Sequence, residues 1–409
     1  MKRVTGLLCL LLITLGCTKN ISSTKQSSDE KEFLKYPLYI DLENIHTTDS
    51  VEALLSVDAS ECVYIPLETN GNALIRRIEK VLFWGDHILV SEFQNLCLFD
   101  RSGKFIQKIS QQGEGPEDYN RVNNIITDPV TGMLYIFSRN KVIKFDKNTK
   151  YVDNYIVKSE EYLSGGIMTP DEIFLLSVPN QVKLLKDTAK VFSLIATDSL
   201  GNVMKYYENT TVRRAESVKM ALTGISNLYA YDKNVRFKEF GNDTLFTILK
   251  DSMMPYAILY LGEMKMNHNP DASQAQSFEE VQKIYDGLSD KLFVVHVLEN
   301  NTYVYILLNW GVSEKELSCV YNKENGKLTH LKDNGLQNDL DGGISFFPRN
   351  ITENGDMIAW KSAEEFKEEI LSKDYDMQKA KYGERFEKVY QLAKSLKEDD
   401  NPVLIITKK

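Results

Sequence analysis

The sequence predicts an all-β protein, a six-bladed β-propeller whose blades are four-stranded antiparallel sheets. Hairpin-like segments recur along most of the chain, the turns of successive hairpins are 45 to 52 residues apart, and further apolar strands lie between them. A period of about 40 to 50 residues is typical of propellers with four strands per blade. The 409 residues, of which 26% are charged and 10% aromatic, exclude a mainly disordered chain.

Residues 1–16 are predicted to form a lipoprotein signal peptide. Lys2 and Arg3 precede an apolar run that is too short to span a bilayer as a helix. The sequence Thr14-Leu15-Gly16-Cys17 resembles the lipobox of bacterial lipoproteins, in which the cysteine carries the lipid. We therefore expect lipidation at Cys17, and the alternative is an ordinary secretory signal followed by an unrelated cysteine. Removal of residues 1–16 takes away two cations and changes the formal net charge from −9 to −11.

Residues 17–36 are predicted to be a flexible tether, because this segment is mostly polar and cannot build a core. We expect the protein to be exported and held by its lipid in the cell envelope, in the outer membrane. The acidic run that marks some lipoproteins for the cell surface does not follow Cys17, so the sequence is compatible with either face of that membrane. Residues 37–409 are predicted to form a single propeller domain.

The repeating unit is an apolar strand, a turn rich in Asp, Asn, Gly and Lys, and a second strand. The turn residues favour positive φ angles and side-chain bonds to the backbone, so each unit is interpreted as a hairpin. Copies of the unit occupy residues 96–109, 142–152, 194–204, 240–246 and 318–328. A second strand pair precedes several of these hairpins, at residues 81–91, 125–137 and 166–176, and a similar pair occupies residues 351–360.

Two helical insertions are predicted, near residues 274–289 and 362–398. Ser277-Phe-Glu-Glu280 and Ser362-Ala-Glu-Glu365 have the form of capping boxes, and each is followed by apolar residues with helical spacing. Without the insertions about 280 residues remain, which corresponds to six blades of about 47 residues. The early strand Cys62–Leu67 and the late strand Pro402–Thr407 lack other partners, so we expect them to share one blade and close the ring.

Several segments resemble the six-bladed β-propeller lipoproteins of Gram-negative gut anaerobes, and the stretch 96–137 is similar to NHL-type repeats. The residues that carry the likeness are Ile65-Pro-Leu-Glu68, Phe99-Asp-Arg-Ser-Gly-Lys-Phe105, Gly113-Glu-Gly-Pro-Glu-Asp-Tyr119, Asn242-Asp-Thr-Leu245, Pro255-Tyr256 and Asn401-Pro-Val-Leu-Ile-Ile406. The resemblance implies the propeller fold and an envelope lipoprotein. It implies no activity, because most of that group has no assigned function.

Catalytic and metal-binding motifs are absent from the sequence, so we predict no catalytic residue, no metal site and no cofactor. The five histidines are scattered, and no Gly-x-Ser-x-Gly or His-Glu-x-x-His segment occurs. The acidic, glycine-rich segment Gly113–Tyr119 lacks the Lys-Ser/Thr of a phosphate loop and is interpreted as a connection between blades. Cys62, Cys97 and Cys319 lie in apolar strands and are expected to be small buried side chains.

Ligand-binding candidates are placed at the channel mouth, because propellers bind ligands where the loops of all blades converge. If the apolar strands ending at Ser91, Ser138, Asn309 and Trp360 are innermost, the residues at and after their ends face a ligand. Trp indoles stack on sugar or aromatic faces while donating a hydrogen bond, and core packing between blades is their alternative. For His296 we expect a strand residue that faces the channel or a neighbouring blade, and the alternative is a metal ligand. The candidates are Glu92, Arg139, Asn140, His296, Trp310 and Trp360.

Five segments of the form Asp-Ser/Thr-apolar resemble the O-glycosylation acceptor motif of exported proteins in such bacteria. Because the motif is short and several copies fall in turns, chance matches and structural roles are the alternative interpretation. The candidate acceptors are Ser50, Thr188, Ser199, Thr244 and Ser252.

Two functions from different classes are compatible with the sequence. The leading interpretation is a non-enzymatic binding or scaffold lipoprotein, anchored to the membrane through Cys17, whose partner is a glycan, a peptide or an envelope protein. The alternative is an envelope hydrolase or lyase with its active site at the channel mouth. The acidic charge argues against a nucleic-acid partner.

Overall fold

The computed structural model describes residues 37–92, 94–179, 183–184, 186–209, 214–215, 226–266, 275, 277–311 and 315–409. The predicted signal peptide, tether and lipidation site at Cys17 lie outside these residues and stay predictions. Within the described residues, no helix combines the length and apolar character needed to cross a bilayer.

The first three blades follow two N-terminal strands, β1 (Leu38–Asp41) and β2 (Glu61–Pro66). The first blade contains β3 (Lys80–Trp84), β4 (His87–Ser91), β5 (Leu96–Asp100) and β6 (Phe105–Lys108). The second contains β7 (Asn124–Thr127), β8 (Leu134–Ser138), β9 (Lys141–Phe145) and β10 (Tyr151–Ile156). The third contains β11 (Gly165–Met168), β12 (Phe174–Ser177), β14 (Phe192–Thr197) and β15 (Val203–Glu208), while β13 (Lys183–Leu184) pairs in parallel with β16 (Arg214–Ala215).

Three further blades complete the ring, so the predicted six-bladed propeller is confirmed. The fourth blade contains β17 (Asn227–Tyr231), β18 (Asn234–Lys238), β19 (Thr244–Ile248) and β20 (Met253–Tyr260). The fifth contains β21 (Leu292–Glu299), β22 (Tyr303–Trp310), β23 (Glu316–Asn322) and β24 (Leu328–His330). The sixth contains β25 (Asn350–Ile351), β26 (Met357–Lys361), β27 (Val403–Lys408) and, as its outermost strand, β2.

The sixth blade is built from both ends of the described chain. β2 pairs with β27 in antiparallel register from Glu61 opposite Lys408 to Pro66 opposite Val403. Buried side chains of these two strands, among them Ile65 and Leu404, belong to the same apolar cluster as Val81 and Phe99 of the first blade. The pairing therefore joins the last blade to the first and closes the ring.

The first strand of each blade is innermost, because β3, β7, β11, β17, β21 and β25 contact one another in sequence around the ring. The assumption that the strands ending at Ser91, Ser138, Asn309 and Trp360 line the channel is wrong, since these belong to the second strands β4, β8, β22 and β26. The physical reason is burial. A second strand is covered by strands on both sides and by both neighbouring blades, whereas a first strand has one edge towards the channel and tolerates polar residues.

The two faces of the ring differ in what they carry. Strand directions alternate within a blade, so the starts of the innermost strands lie on the same face as the loops between second and third strands. We call this the connection face, because the segments that join successive blades also lie there. The opposite face carries the hairpin turns, such as those at Gly85 and Asp100, and is called the turn face.

An N-terminal segment, residues 37–60, runs along the outside of the ring and is called the strap. Its strand β1 adds in parallel to β20, which makes the fourth blade five-stranded, a feature that the sequence did not predict. The strap then forms short 3-10 helices at Ile45–Thr47 and Leu55–Val57 and bridges to Leu331 and Gln337 beyond the fifth blade's outer strand. It thereby covers outer edges that would otherwise stay open.

The helical insertions lie where the sequence predicts them, and both are on the connection face. The first contains α1 (Phe278–Asp286), whose N-cap Ser277 accepts a hydrogen bond from the Glu280 N–H. The second joins β26 to β27 and consists of three helices, α2 (Ala363–Leu371), α3 (Tyr375–Tyr382) and α4 (Glu384–Ser395). The complete capping box of Ser362 and Glu365 begins α2, and Gly383 at φ 61 separates α3 from α4.

The cysteines of the described residues are free thiols. Cys97 and Cys319 are buried and Cys62 is half-buried, which agrees with their predicted role as small packed side chains. Burial raises the pKa of Cys97 to about 11 and that of Cys62 to about 12, so these thiols stay protonated and unreactive at neutral pH.

Candidate binding site at the channel mouth

The connection-face mouth of the channel is bordered by polar side chains that begin the innermost strands. Lys80 Nζ donates to Ile125 O at 3.0 Å, Asn124 Nδ2 to Gly166 O at 3.0 Å, and Asn350 Nδ2 to Val81 O at 3.2 Å. In each case the side chain of the first residue of one innermost strand donates to the backbone carbonyl of the second residue of the innermost strand in the next blade. The residues Lys80, Asn124, Asn227, His296 and Asn350 are called the channel ring.

The fourth and fifth blades are joined in the same ring by a variation on this pattern. Asn227 Oδ1 accepts the Val297 N–H, so its Nδ2 faces His296 Nδ1 at 2.9 Å. Nδ1 is therefore an acceptor and the imidazole proton lies on Nε2. That nitrogen is buried, and the imidazole also forms a hydrogen bond with the Arg349 backbone. A bulge in β21 beside His296 makes this shift in register possible.

Lys80 is the one cation of the channel ring. Its Nζ also donates to Asn124 Oδ1 at 2.9 Å, so two oxygens of the second blade hold two of its three N–H groups. The side chain is half-buried. Desolvation lowers the pKa of its ammonium to about 8, with no contribution from a charged neighbour. The residue is therefore surrounded by protein yet accessible from solvent.

Further donors lie on the connection face beside the channel ring. The Arg121 guanidinium bonds the Tyr162 hydroxyl and lies 5.8 Å from the centre of that ring. Asn123 Nδ2 also donates to the Tyr162 hydroxyl, at 2.9 Å. On the other side of the ring, Arg349 Nη2 lies 3.3 Å from Glu316. The connection face thus carries amide, ammonium and guanidinium donors, together with the Glu316 carboxylate that pairs with Arg349.

Comparison of the sequence with models of known families assigns the chain to one of them. The model of one family, described as "Domain of unknown function (DUF4934)", matches residues 38–408, which is nearly all of the described chain. The chain belongs to the DUF4934 family. No curated protein matches the sequence of this family member significantly.

Solved structures resembling this DUF4934 chain agree with its fold. The crystal structure of a candidate exported protein from Bacteroides fragilis NCTC 9343 matches with a TM-score of 0.63 and 15% identity, over 91% of this chain and 99% of that one. A DUF4221 family member from Bacteroides vulgatus matches at a TM-score of 0.47 and 10% identity, over 68% and 86%. Virginiamycin B lyase from Staphylococcus aureus matches at 0.39 and 10%, over 68% and 77%. The match to the Bacteroides fragilis protein shows the fold alone.

Three of the predicted ligand-binding residues of this DUF4934 chain lie in connection-face loops, one strand away from the channel. Glu92 accepts hydrogen bonds from the Arg76 N–H and from Asn95 Nδ2, and therefore stabilises its own loop. Arg139 is exposed with φ 55, and its N–H donates to Asn123 Oδ1. Asn140 Nδ2 donates to Ser159 O at 2.6 Å. Of these three side chains, that of Arg139 is the exposed one.

The other three candidates have different positions. His296 belongs to the channel ring, as a residue that faces the neighbouring blade. Trp310 is half-buried, with its ring 5.5 Å from that of His46 of the strap and its indole beside the Lys315 ammonium. Trp360 packs against the apolar cluster at the closure between the sixth and first blades. The structure therefore does not bring the two tryptophans together, and Trp360 has the core position that was the alternative.

The candidate glycosylation motifs are distributed over the outside of the ring. Ser50, Thr188 and Ser252 are exposed, whereas Ser199 and Thr244 are half-buried. Asp198, which precedes Ser199, accepts hydrogen bonds from the Leu200 and Asn202 N–H groups and shapes the hairpin turn. That motif copy therefore has a structural explanation, while the exposed copies stay predictions.

The glycine-rich segment 113–119 lies between β6 and β7, as predicted. Lys141 Nζ donates to the carbonyls of Gly115 and Asp118, at 2.7 and 2.8 Å, so this loop offers carbonyl oxygens to a cation rather than amides to a phosphate. Within the described ranges, no group of three or more His, Cys, Asp and Glu residues could hold a metal ion.

Apart from His296, the channel ring was missed from the sequence although a signal was present. The strand pairs that we recognised begin at Val81, Ile125 and Ile351, and a polar residue immediately precedes each of them. Lys and Asn at such positions are usual in turns, so they were included in the loops. A polar residue recurring directly before the first strand of a blade is the pattern that could have identified the ring.

Proposed function

We propose that this protein is an exported, lipid-anchored propeller that binds a polar ligand at the connection-face mouth of its channel without converting it. One observation carries the proposal. Donor side chains from several blades, Lys80, Asn123 and Arg349 among them, stand at or directly before the first residues of the innermost strands. Propeller channels are bordered by all blades at once, so a ligand there contacts several sequence repeats.

The envelope location is part of the same proposal. The signal peptide and the lipobox ending at Cys17 support export and lipidation, and the exported relative from Bacteroides fragilis is consistent with them. Incorporation of radiolabelled palmitate tests this directly in cells. The wild-type chain is expected to be labelled and the Cys17→Ser chain is expected not to be. Labelling of the Cys17→Ser chain would contradict the anchor.

The binding site is tested by a ligand screen on the full-length chain in detergent, with glycans, peptides and small organic acids. A ligand that binds only the folded chain raises its melting temperature in proportion to the logarithm of its concentration. We expect Arg139→Ala, on the connection face, to weaken this shift severalfold. Arg101→Ala, an exposed arginine on the turn face, is the matched control and is expected to keep it.

The same screen separates binding from catalysis. Each stabilising ligand is recovered after prolonged incubation and analysed by mass spectrometry, and we expect it to be unchanged. If hydrolysis or elimination products are recovered with the wild type and are not formed by connection-face variants, the protein is instead an envelope hydrolase or lyase. A shift weakened by Arg101→Ala and not by Arg139→Ala would move the site to the turn face and contradict the proposal.

A further inference from the structure

Lys80 differs from the other buried lysines of the described chain in its electrostatic surroundings. Burial lowers the pKa of four lysines, Lys80, Lys238, Lys323 and Lys373. Lys238 has Asp243 and Glu239 as acidic neighbours, Lys323 has Glu299, and Lys373 has Glu369 and Asp341. Among these four, Lys80 alone has no carboxylate that offsets its burial.

Unpaired cations are rare inside proteins because removal from water is costly without a counter-ion. The two acceptors of Lys80, Asn124 Oδ1 and Ile125 O, are neutral oxygens that orient the ammonium without cancelling its charge. Its third N–H has no partner among the described residues, and the half-buried side chain is accessible from solvent. An anion that enters from the channel would supply both the missing acceptor and the missing charge.

We propose that Lys80 is the anchoring residue of an oxyanion site in the channel, which takes a ligand carrying a carboxylate, sulfate or phosphate group. This inference rests on the proposed function, because it assigns the ligand class of the same mouth. Two further donors, Asn123 and Arg121, lie on the connection that leads into β7, where both bind the Tyr162 hydroxyl. A bound oxyanion accepts a charge-assisted hydrogen bond from the ammonium, which is stronger than a neutral one.

The site is tested by thermal denaturation of the full-length chain at matched ionic strength with four probes: inorganic sulfate, inorganic phosphate, glucuronic acid and glucose. Sulfate and phosphate stabilise most proteins by exclusion from the surface, so the comparison between variants is decisive. We expect the anions to raise the melting temperature of the wild type by several degrees more than that of Lys80→Met. Lys104→Met, at an exposed lysine, is the matched control and is expected to respond like the wild type. Glucose is expected to give no shift in any chain.

The source of the oxyanion follows from the relative size of the shifts. The quantity compared is the rise in melting temperature of the wild type minus that of Lys80→Met. If this difference is larger with glucuronic acid, the ligand is an organic acid such as an acidic sugar. If it is equal or larger with phosphate or sulfate, the ligand is the free anion. Equal anion responses in the wild type and Lys80→Met would overturn the inference, as would the absence of any anion response. If the shift produced by a neutral ligand from the broader screen is still weakened by Arg139→Ala, neither of these results affects the proposed function.

A second measurement does not need a folded variant. Acetic anhydride acylates neutral amines, and a lysine with a pKa near 8 is more reactive than an ordinary surface lysine at pH 7.5. Peptide mass spectrometry of the wild-type chain gives the acylation rate at Lys80 and at Lys104 together. We expect a saturating anion to slow acylation of Lys80 at least fivefold and to leave Lys104 unchanged. Equal protection of both lysines, or of neither, would contradict the site.

Discussion

Two lysines lie at boundaries between blades, the half-buried Lys80 between the first and second blades and the buried Lys323 between the fourth and fifth. Lys323 Nζ lies 2.5 Å from Glu299, a carboxylate that also binds Arg236 at 2.8 Å. Tyr256 completes this cluster by donating to Glu299 at 2.7 Å. Lys80 has only neutral acceptors, in an interface whose remaining buried side chains are mostly apolar.

The difference shows how a structural charge can be distinguished from a candidate binding group. Around Glu299 one carboxylate binds both cations, Arg236 and Lys323, so the cluster serves as a specific joint between two blades. At Lys80 the cost of desolvation is not offset within the described protein. A cost of this kind is typical of residues kept for function rather than for stability.

The strongest test of the comparison removes the carboxylate that holds the fourth and fifth blades together. Glu299→Ala leaves Arg236 and Lys323 as buried, unpaired cations, and we expect the free energy of unfolding to fall by about 3 to 5 kcal/mol. Urea denaturation measures this loss. Glu208→Ala is the control, because Glu208 forms an exposed pair with Lys190, and it should change stability by less than about 0.5 kcal/mol. A loss at Glu299 as small as this would show that the cluster is not a structural joint.

A second test uses the histidine of the same interface. Burial, together with the nearby Arg349 charge, lowers the pKa of His296 to about 4 from an ordinary value of 6.5. The unfolded chain therefore binds more protons than the folded one between these values, so His296 contributes stability above pH 6.5 that is lost as the pH falls through 4. We expect the wild type to lose up to about 3 kcal/mol from this group between pH 7 and pH 4.

His296→Gln isolates this contribution, because all other titrating groups are shared with the wild type. The free energy of unfolding, measured by urea denaturation at several pH values, should fall less steeply with acid in His296→Gln. Parallel pH profiles of the two chains would mean that His296 is protonated without penalty and is open to solvent.

The smallest expected effect is at Lys80 in the absence of ligand. Lys80→Met loses two hydrogen bonds but also removes a desolvated charge, so we expect its stability at pH 7 to lie within about 1 kcal/mol of the wild type or above it. The folded-state pKa of about 8 lies below the ordinary 10.5, so the wild type should gain stability relative to Lys80→Met as the pH rises from 8 to 10.5.

Chemical denaturation of both chains at pH 7 and pH 10 provides the measurement. A loss of more than about 2 kcal/mol in Lys80→Met at pH 7 would make Lys80 a structural residue like Lys323, and the contrast between the two would disappear.

Much of the fold followed from local signals in the sequence. The spacing of hairpin turns depends on blade size, and the capping boxes at Ser277 and Ser362 are contained within four residues each, so both could be recognised without tertiary information. The strap could not be recognised, because β1 is four residues long and pairs with a strand more than 200 positions away. Its pairing is decided by a free sheet edge and not by a local pattern.

The candidate site was only partly predictable. The sequence placed Glu92, Arg139 and Asn140 on the face that also carries the channel ring, but it placed the channel one strand too far out. Long apolar runs identify the strands buried on both sides, which are second in each blade. The channel ring depends on bonds between consecutive blades, such as that from Asn124 to Gly166, and these exist only once the ring is assembled.

The pairing of β2 with β27 has a consequence for how the molecule reaches its native state. The two strands are separated by more than 330 residues, and the sixth blade lacks its two outer strands until both are present. Because β27 follows β2 by more than 330 residues in the order of synthesis, that sheet is completed only after residues 403–408 have been made, and the closing step joins an early and a late part of the chain. Deletion of residues 403–408 would remove β27, so the sixth blade would lose its third strand and the ring would stay open.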